Sequence, residues 1–273
     1  MYARVLVALD GSRHSEEVIA HAAGMAQVHK TPLELLRVVE KDAESAEAAA
    51  YVEQLAAGHG ARGLCVVSGG DVAEAILSAA RAVPGTLLAM TSRGRSGLME
   101  AVLGSVALRV VRGSAEAPVL VYRPTGSAPE RAAAIQVRSV VLPLDGTELS
   151  ESMGDQAAEL ARWLGAELMV VNVVEPRDSR SSSPVTSSIS ALESGYVRSN
   201  ARALAERHGV KVNWEVLHGE PAEAIAVQLA GRHDAILAMA TRARPALETA
   251  FLGSVTSGCL RRAGVPVLMR APA

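Results

Sequence analysis

Aromatic residues are scarce in this sequence of 273 residues, which contains one Phe, two Trp and four Tyr. With so few rings, stacking platforms for single-stranded nucleic acid are not expected. The formal net charge of −2 shows no basic excess that would attract nucleic acid or an anionic membrane surface. The core must be built from Ala, Val, Leu and Ile, and these small side chains favour helices packed closely on a parallel sheet.

Cysteine is also scarce, and long apolar runs are absent. Cys65 and Cys259 lie far apart and form no CxxC pair, so both are predicted to be reduced, buried, small hydrophobic residues. The first apolar run stops before Asp10 and is too short for the core of a signal peptide. No stretch approaches the roughly 18 uncharged apolar residues of a membrane span. The sequence therefore predicts a cytoplasmic protein without a membrane partner.

Common catalytic motifs are absent as well. The chain has no Walker A sequence, and no GxGxxG motif follows its first predicted strand, so neither a P-loop enzyme nor a dinucleotide fingerprint is indicated. No nucleophile elbow, metal triad or committed base is recognisable. His14 and His21 lie on one predicted helix, where a solvated face explains them, and a metal would need more ligands. No metal site is predicted.

What the sequence does contain is an internal repeat. Matching segments keep an offset of 135 residues early in each copy, with Asp10 opposite Asp145, and of 149 or 148 residues later. A register held over several blocks is not expected by chance, so the chain is interpreted as two fused copies of one domain, 1–126 and 137–273. The main matching segments are 4–12 with 138–147, 69–76 with 218–225, 90–106 with 239–255, and 118–124 with 266–272.

The change of offset locates an insertion of 14 residues in the second copy. The Ser-rich stretch 177–195 lies at that point and is predicted to be a mobile loop. Segment 125–136 is the natural linker between the copies. Since each copy ends in a predicted edge strand, 118–122 or 266–269, we expect the copies to pair these edges as an intramolecular pseudo-dimer, with further homo-oligomerisation left open.

Strand and helix patterns alternate within each copy. In the first copy the apolar runs 4–9, 33–39, 62–68, 86–91 and 118–122 read as strands, and helical spacing fills 14–29, 43–58, 71–82 and 105–113. Five strands alternating with four helices predict an α/β fold, a doubly wound parallel sheet with helices on both faces.

Two loops at the carboxyl ends of these strands favour a ligand site, because ligands of open α/β sheets bind there. After the first strand, Asp10 could accept hydrogen bonds from a ribose hydroxyl or an adenine amino group, although Asp10, Gly11 and Ser12 equally suit a plain N-cap turn. After the fourth strand, Gly104 and Ser105 open a predicted helix whose free N–H groups suit a phosphate. Gly94 lies in the same loop, with Arg93 and Arg95 adding positive charge.

These residues resemble the universal stress protein family, twice, over nearly the whole chain. Nucleotide-binding members carry G-x2-G-x9-G-[S/T] after strand four and an Asp near the end of strand one. The first copy has Thr91-x2-Gly94-x9-Gly104-Ser105 with Asp10, so that Thr91 replaces the first Gly. The resemblance implies strand order 3-2-1-4-5 in each copy and ATP or a related adenine nucleotide as ligand, alone or with Mg²⁺.

By the same resemblance, Val39 would contact the base and Met90 would lie near it. Gly94, Gly104, Ser105 and Val106 would wrap the phosphates. The second copy has Ala240 and Ala243 at the early glycine positions, so we expect nucleotide to occupy the first copy in preference. The counterparts that would form a weaker second site are Asp145, Val174, Gly253 and Ser254.

Three functions remain open on the sequence. The leading interpretation is a stress-response protein that binds an adenine nucleotide as a sensor or reservoir. The second is a slow ATP hydrolase, for which the sequence offers no catalytic group. The third is an interaction module that binds no nucleotide and acts through protein partners.

Overall fold

The structure is a computed structural model that describes residues 2–92, 102–114, 117–124, 133–175, 186–241 and 252–270. Contacts divide the chain into two compact units, one of Met1–Gln136 with Pro266–Ala271 and one of Val137–Val265. The predicted domain bounds, 1–126 and 137–273, follow the sequence repeat and stay a prediction. None of the described helices is both long enough and apolar enough to cross a membrane.

The first unit alternates strands and helices as the sequence predicts. Its strands are ordered β3-β2-β1-β4-β5-β10, and the first five run parallel. Its strands are β1 (Arg4–Leu9), β2 (Leu33–Val39), β3 (Arg62–Val67), β4 (Thr86–Thr91), β5 (Val119–Tyr122) and β10 (Val267–Arg270). Its helices are α1 (Arg13–Glu16), α2 (Ile19–Val28), α3 (Ser45–His59), α4 (Val72–Arg81) and α5 (Ser105–Gly113).

The strands β1 and β4 form the centre of this unit, and every residue in them is buried. They read as continuous apolar runs because helices cover both faces of a doubly wound sheet. Right-handed crossovers place α2 and α3 on one face and α4 and α5 on the other, since the strand order reverses between β1 and β4. This reversal creates a crevice at the carboxyl ends of the two central strands.

The last strand of the chain departs from the predicted five strands per copy. β10 belongs to the first unit and pairs antiparallel with β5, with Val267 opposite Val121 and Met269 opposite Val119. All four residues of β5 are buried, and a buried edge would otherwise leave backbone N–H and C=O groups without partners. Pairing with β10 satisfies them. The pseudo-dimer of the two copies stays a prediction.

The second unit repeats the plan of the first with its remaining strands ordered β9-β6-β7-β8, all parallel. These strands are β6 (Ser139–Pro143), β7 (Glu167–Val174), β8 (Val212–His218) and β9 (Ala235–Ala240). The helices are α6 (Glu148–Glu151), α7 (Gly154–Leu164), α8 (Thr186–His208), α9 (Pro221–Gln228) and α10 (Ser254–Arg262). The order corresponds to 4-1-2-3 of the first copy, as the repeat predicts.

Part of the Ser-rich stretch 177–195, predicted to be a mobile loop, is helical instead. Helix α8 begins at Thr186 and runs for 23 residues, while 176–185 lie outside the described residues. Val197, Ala201 and Leu204 are buried at helical spacing and anchor the helix on the unit. Once this anchored part of the helix is packed, each further residue that joins the helix adds one hydrogen bond. The helix can therefore extend over a sequence that has no apolar period of its own.

The prediction that His14 and His21 share one solvated helical face is wrong. The chain from 13 to 28 forms two helices, with His14 exposed on α1 and His21 only 4% exposed on α2. The ring of His21 lies 5.1 Å from that of Tyr122 on β5. A helical period read across the break between α1 and α2 therefore placed the two rings on the same face incorrectly.

The two cysteines have free thiols but differ in burial. Cys259 on α10 is buried, and burial, reinforced by the charge of Glu220, raises the pKa of its thiol to about 12. Cys65 is only half-buried, contrary to the prediction, because β3 is the edge strand. Burial also raises the pKa of the Cys65 thiol, while the nearby Arg37 opposes that effect.

Gly24 on α2 lets the segment before β6 approach the helix backbone. The N–H group of Ile135 donates to the carbonyl of Ala20 at 2.9 Å, and a Cβ atom at residue 24 would lie 1.7 Å from the Ile135 oxygen. Gly24→Ala is therefore expected to lower the free energy of unfolding by about 1–3 kcal/mol. Gly58→Ala on α3 is the control, since its Cβ would meet nothing within 4 Å. This substitution should raise the free energy of unfolding by about 0.5–1 kcal/mol. Urea unfolding measures both, and equal effects would contradict this account of Gly24.

Candidate functional site

A pocket of about 540 Å³ lies at the carboxyl ends of β1, β2 and β4 in the first unit. Its position is the crevice where the strand order reverses, the usual ligand site of an open α/β sheet. The residues that line it and were predicted from the sequence are Asp10, Val39, Met90, Gly104, Ser105 and Val106. Gly11 and Ser12 form the turn beside it, and Arg93 and Gly94 lie outside the described residues.

Several lining residues were not predicted from the sequence. Charged ones come from β2 and the segment after it, and apolar or hydroxyl ones come from α4, the end of β4 and α5. The guanidinium of Arg37 donates to the carbonyl of Val38 at 2.7 Å. Thr91 was noted only as the replacement of the first motif glycine, and the other residues were not singled out because they stand at no specified position of the motif. The additional residues that the argument below uses are Arg37, Glu40, Glu44, Thr91, Ser92 and Ala107.

Asp10 supports the turn between β1 and α1. Its Oδ1 accepts from the N–H of Ser12 at 2.9 Å and from the Ser12 hydroxyl at 2.6 Å. Ser12 in turn caps α1, because its Oγ accepts from the N–H of Ser15 at 3.2 Å. The predicted N-cap turn is thus present, and Asp10 lines the pocket at the same time.

The second copy builds the same turn around Asp145. Its Oδ1 accepts from the N–H of Thr147 at 3.0 Å and from the Thr147 hydroxyl at 2.6 Å, and Thr147 caps α6. Desolvation of the carboxylate by the surrounding turn would raise the pKa of Asp145, but the hydrogen bonds from Thr147 and Ser150 outweigh it and hold that pKa below its usual value. The turn is therefore a shared structural element of both copies.

A tyrosine anchors the first helix of each copy. The hydroxyl of Tyr51 on α3 donates to Glu16 on α1 at 2.8 Å, and that of Tyr196 on α8 donates to Glu151 on α6 at 2.7 Å. Burial, followed by the hydrogen bond to the carboxylate, raises the pKa of both phenols. These bonds hold in place the helix that follows each Asp turn. Sequence matching missed them because the offset between the two tyrosines differs from the offset between the two glutamates.

The N-terminus of α5 offers backbone donors to the pocket. Its first intrahelical bond joins the N–H of Leu108 to the carbonyl of Gly104 at 2.9 Å, and among the described residues no side chain caps it. The preceding N–H groups of Ser105, Val106 and Ala107 have no partner within the helix. By contrast, Asp71 caps α4 with a 3.0 Å bond. An uncapped helix start with a positive dipole end is suited to an anion.

The glycines that start α5 and α10 differ in conformation. Gly104 has φ −67° and ψ 163°, which any residue can adopt, and a Cβ there would lie 3.6 Å from the Ser92 carbonyl oxygen. Gly253 has φ 70° and ψ 157°, a region open essentially to glycine alone. Two loops that share the sequence Leu-Gly-Ser-Val thus begin their helices differently.

Replacement of these glycines is therefore expected to have unequal effects. Gly253→Ala should lower the free energy of unfolding by about 1–3 kcal/mol because of backbone strain. Gly104→Ala should change it by no more than about 0.5 kcal/mol, the range of an unstrained substitution. Urea denaturation of the two variants compares them, and an equal loss in both would contradict the assigned conformations.

The pocket has two chemically different sides. On the β1–β2 side lie the carboxylates of Asp10, Glu40 and Glu44, and on the β4–α5 side lie the backbone amides that begin α5. Val39 and Met90, which are 2% and 6% exposed, add apolar surface. Such a pocket can accept donors from a ligand at one side and negative charge at the other. Across the described ranges, no three His, Cys, Asp or Glu side chains are placed to hold a metal ion.

The counterpart residues of the second copy are more open to solvent. Asp145 is exposed where Asp10 is half-buried, and Val174 is half-buried where Val39 is buried. Met239, the counterpart of the buried Met90, is also half-buried. Ala243 lies outside the described residues. These exposures accompany the loss of the early glycines from the second copy.

Comparison with known proteins gives one consistent result. The model of the universal stress protein family matches residues 1–59, 40–123 and 136–270. A universal stress protein of Methanocaldococcus jannaschii is 29% identical over 138 residues, which are 48% of this chain and 81% of the relative. A solved universal stress protein from Archaeoglobus fulgidus covers 100% of both chains with 18% identity and a TM-score of 0.65. A protein of unknown function from Pseudomonas aeruginosa PAO1 covers 99% of this chain and 93% of its own, with 17% identity and a TM-score of 0.62.

Proposed function

The chain belongs to the universal stress protein family as a tandem two-copy member, and from that premise we propose that it binds ATP or a related adenine nucleotide in the pocket of its first copy. The proposed role is that of a binding protein, a sensor or reservoir, with ATP taken up alone or with Mg²⁺. A cytoplasmic location belongs to the same proposal.

The observation that carries the proposal is the two-sided polarity of the pocket. A nucleotide has hydroxyl and amino donors at the nucleoside end and negative charge at the phosphate end. The carboxylate of Asp10 can accept from the nucleoside, and the amides of Ser105, Val106 and Ala107 can donate to phosphate oxygens. The acceptor and the amide donors lie on opposite sides of the crevice, because β1 and β2 form one side and β4 with α5 forms the other. One ligand can therefore reach Asp10 with its nucleoside and the start of α5 with its phosphates.

Size and apolar surface support the same ligand. A volume of about 540 Å³ falls within the roughly 300–1,000 Å³ that is usual for small-molecule sites. Val39 and Met90 present buried side chains on which a flat base can lie. We propose Val39 as the contact to the base, Met90 beside it, and Gly104, Ser105 and Val106 as the phosphate-binding group, with Arg93 and Gly94 completing it.

The second copy is proposed as a weaker site. It keeps the Asp145 turn and the Gly253-Ser254 helix start. However, Val174 and Met239, the counterparts of the buried Val39 and Met90, are more exposed. Exposed hydrogen bonds compete with water, so the same contacts give less affinity there.

Mass spectrometry of the ligand released by denaturing the purified protein tests the proposal. The expected result is an adenine nucleotide, retained by the intact protein through gel filtration or taken up on incubation with ATP. If the protein neither carries such a nucleotide nor takes one up, the interaction module without nucleotide becomes the better account.

A phosphate-release assay separates binding from hydrolysis. The expected result for the intact protein with ATP is release no faster than that of free ATP under the same conditions. Release that is faster than this background and is lost in Asp10→Ala would favour the slow ATP hydrolase instead.

A further inference from the structure

The helix α1, which follows the Asp10 turn, is too short to be stable by itself. It has four residues, and a single helical turn fixes several backbone dihedral angles in return for few hydrogen bonds. Ser15 on α1 nevertheless completes the turn, because its hydroxyl donates to the Ser12 carbonyl at 2.7 Å and accepts from the Asp10 N–H at 3.3 Å. The orientation of Asp10 therefore depends on α1 staying in place.

Tyr51 ties α1 to a firmly packed helix. The helix α3, which carries Tyr51, has 15 residues and is anchored by the buried side chains of Ala48, Val52 and Ala56. From this support the Tyr51 hydroxyl donates to Oε1 of Glu16, the last residue of α1, at 2.8 Å. A hydrogen bond to a carboxylate is stronger than one to a neutral acceptor, so this one contact can hold a single helical turn.

The Tyr51 phenol lies close to the charged residues on the β1–β2 side of the pocket. Burial raises its pKa most, the hydrogen bond to Glu16 adds to that effect, and the Asp10 carboxylate raises the pKa further, while Arg37 lowers it. Asp10 and Arg37 line the pocket, and Tyr51 does not. The phenol therefore stands behind the site, where it can order the site without touching a ligand.

The second copy builds the same tether from a tyrosine at a different position. Glu16 and Glu151 are 135 residues apart, as the early repeat offset requires, whereas Tyr51 and Tyr196 are 145 residues apart. The chain between glutamate and tyrosine thus differs in length, yet the Tyr196 hydroxyl still reaches its carboxylate, at 2.7 Å. A bond that both copies make from differently placed tyrosines serves the feature that they share, the Asp turn.

We propose that Tyr51 is a positioning residue for nucleoside recognition, which holds Glu16 and thereby keeps α1 and the Asp10 carboxylate in the orientation that accepts from the ligand. This inference rests on the proposed nucleotide binding by the first copy. It gives Tyr51 no contact with the ligand and no role at the phosphate end, so the affinity for phosphate alone does not depend on it.

Tyr51→Phe is the direct test, with ATP, adenosine and inorganic tripolyphosphate as probes in calorimetric titrations of the full chain. Without the tether, α1 is in place in a smaller fraction of molecules, and the apparent affinity for a ligand that needs it falls by that fraction. The variant should bind ATP and adenosine about 3- to 30-fold more weakly and tripolyphosphate as the parent does. Glu16→Ala removes the other half of the bond and should cause the same loss, and the double variant should lose no more.

Tyr196→Phe is the matched control, because it removes the same bond from the second copy. Both tyrosine variants should unfold at similar urea concentrations, and only Tyr51→Phe should change the ATP affinity of the dominant site. ATP binding by Tyr51→Phe equal to that of the parent would overturn the inference alone. A loss of tripolyphosphate affinity as large as the loss for adenosine would overturn it too, because the whole site would then have loosened. If the parent protein binds none of the three probes, the proposed function fails and this inference falls with it.

Discussion

Asp10→Ala is expected to weaken ATP binding about a hundredfold, whereas Asp145→Ala leaves it unchanged. The Asp10 carboxylate lines the pocket and supports the turn that caps α1. Its loss removes charged acceptors for the nucleoside, at roughly 1.5–3 kcal/mol for each hydrogen bond, and loosens the neighbouring backbone. Since 1.4 kcal/mol corresponds to a factor of about ten, a hundredfold loss requires about 2.8 kcal/mol.

The paired variants separate ligand binding from the structural role of the turn. Asp145 makes the same two bonds, to Thr147, at 3.0 and 2.6 Å, so each alanine variant should lose about 0.5–2 kcal/mol of stability from a weakened cap. Calorimetric titration with ATP and with adenosine, beside urea unfolding, gives both quantities. Equal stability losses with no change in either ligand would show that Asp10 is a turn residue only.

Ser105→Pro is expected to weaken ATP and tripolyphosphate by about 10- to 100-fold while α5 stays folded. Proline removes one of the amides that face the pocket, and the bond lost is one to a charged acceptor. The helix tolerates proline at its first position, where the missing N–H has no intrahelical partner. Gly104, with φ −67° and ψ 163°, already has the extended backbone that a residue before proline prefers.

Ser105→Ala controls for the lost hydroxyl in that experiment. If the amide is the group that binds phosphate, the alanine variant keeps the affinity of the parent for tripolyphosphate and only the proline variant loses it. The circular dichroism of the two variants should agree, because both keep α5. A proline variant with full phosphate affinity would exclude the start of α5 as the anion site.

Much of the first copy could be predicted from the sequence. The predicted strands 4–9, 33–39 and 86–91 coincide with β1, β2 and β4. β1 and β4 are covered on both faces, so they read as apolar runs with polar residues at either end. β2 remains recognisable although Glu34 and Arg37 interrupt its apolar residues. The prediction of a tandem α/β fold is confirmed. It could be made because buried strands and the repeat register are both local properties of the sequence.

Features set by tertiary packing could not be predicted in the same way. The expected pairing of the two edge strands carried no register, and the antiparallel alignment that places Leu268 opposite Leu120 joins residues far apart in sequence and is encoded by no periodicity. The length of α8 depends on the anchoring of its C-terminal half against the unit, and the break between α1 and α2 interrupts a helical period that appears continuous.

The candidate site was predicted where a motif or a strand end marked it. Asp10, Val39, Met90 and the start of α5 all line one pocket. Arg37, Glu40 and Glu44 were missed because charged residues near a strand end are usually solvated, and only the fold brings them to the crevice. Ser92 was missed because it stands at no specified position of the motif, and only the fold brings it to the pocket.

The central claim is that one adenine nucleotide binds, in the first copy. Calorimetric titration of the intact protein with ATP tests it most directly, with Gly94→Ala and Ala243→Gly titrated alongside. The account predicts one dominant site, weakened about 10- to 100-fold in Gly94→Ala by a strained backbone or a lost phosphate bond, and a stronger second site in Ala243→Gly. Two sites of equal affinity in the intact protein, or a Gly94→Ala variant that binds ATP like the parent, would contradict it.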